Sequence, residues 1–169
     1  RWPEGAEAVL ARAADHRVPS VLDAEFGPEP VPALLVALAS HTVFSRAGLA
    51  QFTGIDDLAR GLSAAARRTR GLVATTAGAD GFYWFDAAAG VRHLPALSVA
   101  AVDTLGAGDV FHGAFAMALG EGKDAEIAAR FATAAASLAC AGHGHAAIPD
   151  RATVWAMLEQ DQRSTRRVA

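Results

Sequence analysis

The stretch Asp103-Thr104-Leu105-Gly106-Ala107-Gly108-Asp109-Val110-Phe111-His112-Gly113-Ala114-Phe115-Ala116 sets an acid directly after a glycine turn, where an apolar run gives way to a helical period. Glycines in such a turn tolerate positive φ and leave successive backbone N–H groups open to a ligand. Those N–H groups also begin a helix, so its dipole adds to the attraction for an anion. Asp109 then falls in the first helical turn. A carboxylate there can simply stabilise its own helix by about 0.3–1 kcal/mol. It can also take the proton of an attacking hydroxyl while the neighbouring N–H groups hold a phosphoryl group. Base and anion hole would share one turn, which favours phosphoryl transfer.

Other residues bear on the same chemistry. Gly71-Leu72-Val73-Ala74-Thr75-Thr76 reads as a strand, and Thr76-Ala77-Gly78-Ala79-Asp80-Gly81 as a turn before the next strand. Residues 125–140 form a helix pattern with Ile127, Phe131, Ala134, Ala135, Leu138 and Ala139 on its apolar side, where Thr133 and Ser137 are weak ligand candidates. His143 and His145, beside Cys140, lack the spacing of a structural zinc site. His112 stands close to the acid, though a surface or core place is its plainer reading, and His16, His41 and His93 carry no usable pattern. Lys123 is the only lysine. It is followed by Asp124, so it fits neither a P-loop nor the strand lysine of a protein kinase. Phosphates must therefore be met by backbone N–H groups, metal and arginine.

The stretch from Asp103 to Ala116 resembles the C-terminal signature of the ribokinase-like (PfkB) carbohydrate kinases, in which Asp-Thr-x-Gly-Ala-Gly-Asp ends in the catalytic base. The resemblance implies that Asp109 deprotonates a sugar hydroxyl and that the backbone of Gly106, Ala107 and Gly108 forms the anion hole. The turn from Thr76 to Gly81 is similar to the family's Thr-Leu-Gly-x-x-Gly turn bordering ATP, with Ala77 in place of Leu. Thr76, Gly78, Gly81 and Gly108 thereby become candidate nucleotide contacts. The run from Phe131 to Ala136 resembles the small-residue helix beside the adenine, which adds Thr133. The loop Ala141-Gly142-His143-Gly144-His145 resembles the segment that closes over the nucleotide, which adds Gly144, and that in some members helps bind a monovalent cation such as K+ with Asp103.

The resemblance implies ATP and Mg2+ as cofactors and a small sugar as substrate, and it is compatible with a homodimer of the full-length protein. Val43-Phe44-Ser45 is similar to a Val-Phe-x-Ser pattern of ketohexokinase-like members, which tilts the substrate toward ketoses. A nucleoside or vitamin-precursor kinase of the same superfamily is the alternative, and a nucleotide-binding remnant without catalysis the rival. One departure stands out. The segment from Thr42 to Gly54 aligns with a family stretch reading Asn-x-x-Glu, whose Asn and Glu help order magnesium, and Ser45 and Gly48 occupy those positions. Asp23 and Glu25 could supply carboxylate near that edge, though a strand-end cap and a solvated charge are their default readings.

The resemblance covers nearly all of the chain but only the C-terminal half of a family domain. Residues 1–160 are read as its nucleotide-binding and catalytic half, without the N-terminal sugar-binding half and lid, and residues 161–169 as a polar tail. Arg1 opens on a helix pattern without an initiator Met, so the chain is expected to be a fragment or a late-numbered part of a longer protein, and inactive alone.

The elements that must position these residues alternate. Helix patterns at 3–16, 32–39, 47–53 and 56–70, the last capped by Asp56 or Asp57, alternate with strands at 18–23, 41–45 and around Val73. A turn-linked strand near Tyr83, a short strand at 91–94, a buried strand at 97–102, a helix from Gly108 to about Gly120, and helical structure to about Gln160 complete the order. The expected class is α/β, part of a ribokinase-like three-layer sandwich with a mostly parallel sheet and helices on both faces. The 169 residues, 52% hydrophobic and 20% charged, suit one globular domain. A net charge of −3 gives no basis for nucleic-acid binding, and Arg67, Arg68 and Arg70 read as a helix end, like Arg163, Arg166 and Arg167 in the tail. One cysteine, no apolar run of membrane-spanning length and no signal pattern point to a cytoplasmic protein without membrane contact.

Overall fold

The computed structural model describes residues 2–168, with side chains through residue 160. Two compact units divide it, residues 1–95 and 96–169.

The first unit carries a sheet of order β1-β2-β3-β4-β5, formed by Val21–Ala24, His41–Ser45, Leu72–Thr76, Phe82–Asp86 and Gly90–Leu94. β1, β2 and β3 pair in parallel, and β3, β4 and β5 antiparallel. The helices α1 (Pro3–Asp15), α2 (Ala33–Leu38), α3 (Arg46–Thr53) and α4 (Leu58–Ala66) connect and flank the parallel strands. Local chemistry explains their ends: Pro3 opens α1, Ser45 caps α3 through Gly48 N–H, and Asp57, not Asp56, caps α4 through Arg60 N–H at 2.8 Å. α4 is shorter than its apolar period suggests, because Arg67 closes it and Arg68 turns back. The Arg68 guanidinium donates to the Phe52 carbonyl and lies over the Phe52 ring, so it ties two helices together rather than serving α4's dipole.

Strand alternation sorts the core. Ala24, Phe44 and Val73 pack with Val36, Leu49, Phe52, Leu62 and Ala65 of the helices. Val43, Ala74, Phe82 and Trp84, with the opposite parity, are buried as well. Both faces of the sheet thus exclude water, as expected of strands with almost unbroken apolar runs.

In the second unit, α5 (Ala107–Gly120) packs on α6 (Ala125–Ala139), and α7 (Arg151–Val168) packs on α6 with Trp155 against Phe131. Asp124 caps α6 through Ile127 N–H, and the alanines after it let α5 approach closely. The inward stripe of α6 runs through Ala128, Ala129, Phe131, Ala132, Thr133, Ala134, Ala135 and Ser137. Ile127, expected inside, is exposed although Ala128 beside it is fully buried.

Residues 97–102 correct the sequence reading more strongly. They form no strand, and Ser98, Ala100, Ala101 and Val102 are exposed. Apolar β-branched residues cannot make a strand without a ladder to join. The links here are Leu97 N–H to Ser137 Oγ and the Val102 and Asp103 N–H groups to the Cys140 carbonyl. The last helix also continues past Gln160 to Val168, so the expected tail is helical backbone. The side chains of Arg163, Arg166 and Arg167 lie outside the described residues, as does Ala169.

Candidate active site

α5 begins where Gly106 adopts φ +77°, a left-handed conformation that reverses the chain ahead of the first helical turn. Ala107 N–H is engaged by the Thr104 carbonyl at 3.2 Å, so this member of the expected anion hole is occupied by the turn itself. The N–H groups of Gly106, Gly108 and Asp109 have no acceptor among the described residues. The open donors are therefore those two glycines and the acid. Asp109 is exposed in the first turn, where the helix dipole favours negative charge.

Asp103 braces this turn. Its Oδ1 accepts Leu105 N–H at 2.9 Å and its Oδ2 accepts Gly144 N–H at 3.4 Å, which joins the loop after α6 to the start of α5. The Leu105 N–H, then the Gly144 N–H, hold its carboxyl below the ordinary carboxylate range, with His143 adding attraction. Burial raises the Cys140 thiol pKa, and the charge of Asp103 adds to the effect.

A cavity of about 600 Å³ opens beside these groups. Asp103, Gly106, Asp109, Gly144 and His145 line its polar end, and Val110, Met117, Phe131 and Ile148 its apolar wall. The fold thus brings together four of the residues singled out in the sequence. Thr133 stands apart: it is buried on α6 away from this cavity wall, and its Oγ1 has no hydrogen-bond partner among the described residues. Arg151 is a residue that sequence reasoning missed. It reaches the cavity from the start of α7 while pairing with Glu121 at 2.9 Å, and no local motif marks it. His112 is turned to its own helix, with Nδ1 2.7 Å from the Gly108 carbonyl oxygen. Among the described residues no group of three His, Cys, Asp or Glu could hold a metal ion, His143 and His145 included.

In the first unit, the turn after β3 has the backbone its glycines suggest. Gly78 and Gly81 have φ +57° and +92°, and Ala77 N–H closes the turn on the Gly81 carbonyl at 2.8 Å. Thr76 ends β3. Asp80 pairs with Arg46 at 3.1 Å, and its carbonyl oxygen is 2.6 Å from His93 Nε2, whose ring stacks on Tyr83. Both partners of that ion pair are more than half exposed, so it contributes little to stability.

The chain belongs to the pfkB family of carbohydrate kinases, whose model matches residues 2–151. Its fold is ribokinase-like. The crystal structure of a protein provisionally assigned as a ribokinase from Agrobacterium tumefaciens superposes with a TM-score of 0.88 at 35% identity, covering 96% of this chain and 54% of that one. The ribokinase of Arabidopsis thaliana, crystallised with ribose and ATP, superposes with a TM-score of 0.84 at 28% identity, over 93% of this chain and 53% of that one. In sequence, the ribokinase of Bacillus subtilis is 57% identical over 51 residues, 30% of this chain and 17% of the relative. The chain spans about half the length of the solved structures it matches. No helix among the described residues is long and apolar enough to cross a membrane.

Proposed function

We propose that the protein carrying this chain transfers a phosphoryl group from ATP to a hydroxyl of a small sugar, with Asp109 as the base. The observation that carries this reading is the juxtaposition at the head of α5. Asp109 and the open N–H groups of Gly106 and Gly108 share one turn, and Asp109 and Gly106 line the polar end of a cavity large enough for a small organic ligand. The N–H groups hold the transferred phosphoryl group as its charge redistributes, and Asp109 takes the proton of the attacking hydroxyl. Asp103 serves as a positioning residue that keeps the Gly106 turn and the Gly144 loop together, and its carboxylate is the group this loop offers to a monovalent cation such as K+. Thr76, Gly78 and Gly81 keep the nucleotide role that the resemblance implies, while Thr133, buried away from the cavity, does not. Magnesium bound with ATP neutralises phosphate charge.

The related ribokinases support a sugar as acceptor, and the Val43-Phe44-Ser45 pattern favours a ketose. The setting we infer is cytoplasmic, and we expect the chain by itself to be inactive. The test is Asp109→Asn in the full-length protein, assayed on ribose and a panel of ketoses. Turnover is expected to fall by about 10²–10⁴-fold, while the ATP-induced rise in Tm persists. A loss of only a few fold would remove Asp109 from the role of base. An ATP-induced rise without turnover on any sugar would instead identify a nucleotide-binding remnant.

A further inference from the structure

The segment from Ser45 to Gly48 occupies the place where the resemblance expects a magnesium-ordering Asn and Glu, and its packing serves another purpose. Ser45 Oγ accepts two N–H groups, from Gly48 at 3.0 Å and from Phe26 at 3.4 Å. Gly48 is buried in the first turn of α3, and a Cβ on it would lie 2.2 Å from the Ala24 carbonyl oxygen and 3.1 Å from Phe26 N. The glycine is required by backbone approach, since its φ is not positive. One turn on, Gln51 binds Gly27 at both ends, donating from Nε2 to the carbonyl at 2.7 Å and accepting Gly27 N–H at Oε1 at 3.3 Å. The chain leaving β1 is thus attached to α3 at Ala24, Phe26 and Gly27.

Magnesium needs a near-octahedral shell of oxygens and keeps several waters. Here one hydroxyl is committed to two N–H donors, the neighbouring position admits no side chain, and the charged residue between them is the cation Arg46. These residues do not fit the ion. We infer that Ser45–Gly48 is a packing joint between the end of β1 and α3, and that it supplies no ligand to the magnesium that accompanies the nucleotide. The magnesium half of the inference rests on the ATP reading above. The joint does not.

The experiment compares Gly48→Ala, Gly48→Glu and Ser45→Ala in the full-length protein, reading Tm without ligand and Mn2+ binding by electron paramagnetic resonance, with and without ATP. Gly48→Ala is expected to lower Tm by roughly 2–12 °C, because neither Ala24 nor Phe26 backbone can yield cheaply. Gly48→Glu should lower it further. Ser45→Ala should lower Tm by roughly 2–6 °C and leave affinity for Mn2+·ATP within about twofold of the parent. An unchanged Tm in both Gly48 variants would overturn the joint. A tenfold loss of Mn2+·ATP affinity in a folded Ser45→Ala variant would return this segment to the metal shell. If the parent binds no ATP, the nucleotide reading fails by itself, and the Tm comparison still decides the joint.

Discussion

The two glycines of the α5 turn should respond to alanine in opposite directions. Gly106 has φ +77°, and an added Cβ there would meet nothing closer than Asp109 Oδ2 at 3.8 Å. The cost of Gly106→Ala is therefore conformational, about 1–2 kcal/mol for an L-residue in the left-handed region. At about 2–4 °C per kcal/mol for a protein of this size, Tm should fall by about 2–8 °C. Gly106→Asn should fall less, since Asn tolerates that region. Gly108 lies inside α5 with no atom of the described residues within 4 Å of an added Cβ. Gly108→Ala gains helix propensity of up to about 1 kcal/mol, so Tm should rise by about 2–4 °C. On the proposed mechanism the same methyl crowds the open N–H groups. Losing one such donor costs about 10²–10³ in turnover, so partial shielding should cost at least about tenfold. Differential scanning calorimetry and a coupled ADP-release assay on the full-length protein read the two effects separately. A Gly108→Ala variant that is more stable and retains turnover within about twofold would refute the backbone as anion contact. A Gly106→Ala variant as stable as the parent would refute the conformational argument.

Two further outcomes follow from the packing. His41 is held below its ordinary pKa by burial, opposed by a Ser20 hydrogen bond. The folded form then resists protonation while the unfolded form takes it up near pH 6.5, so stability should decline as pH falls below about 6.5 toward the lower folded value. Tm measured from pH 8 to 5 should show this slope and should flatten in His41→Asn; an unchanged slope would remove His41 as its source. Phe115 is fully buried and stacks on Phe111 at a centroid distance of 5.9 Å. Phe115→Ala should cost about 3–5 kcal/mol by chemical denaturation, whereas Leu105→Ala, at a residue 91% exposed, should stay within about 0.5 kcal/mol.

Much of this architecture was legible because its causes are local. Gly106 before Asp109 and Asp57 before α4 state their roles through backbone freedom and capping, which reach only a few residues. Strands β2 and β3 were legible because apolar runs of that length must be buried wherever they pair. Residues 97–102 were misread for the matching reason: their pattern suits a strand, but a ladder requires a partner that no local pattern can supply.

The sequence alone therefore placed an acid in the first turn of a glycine-opened helix and ordered the elements around it, residues 97–102 excepted. Tertiary structure decided which groups remain open to a ligand. It engaged Ala107 N–H, placed Asp103 between Leu105 and Gly144, withdrew Thr133 from the cavity wall, brought in Arg151, and filled the space at Gly48 with the Ala24 carbonyl. The physical reason is range: capping and dihedral preference act within a turn of helix, whereas hydrogen-bond competition and backbone approach depend on segments that only folding brings together.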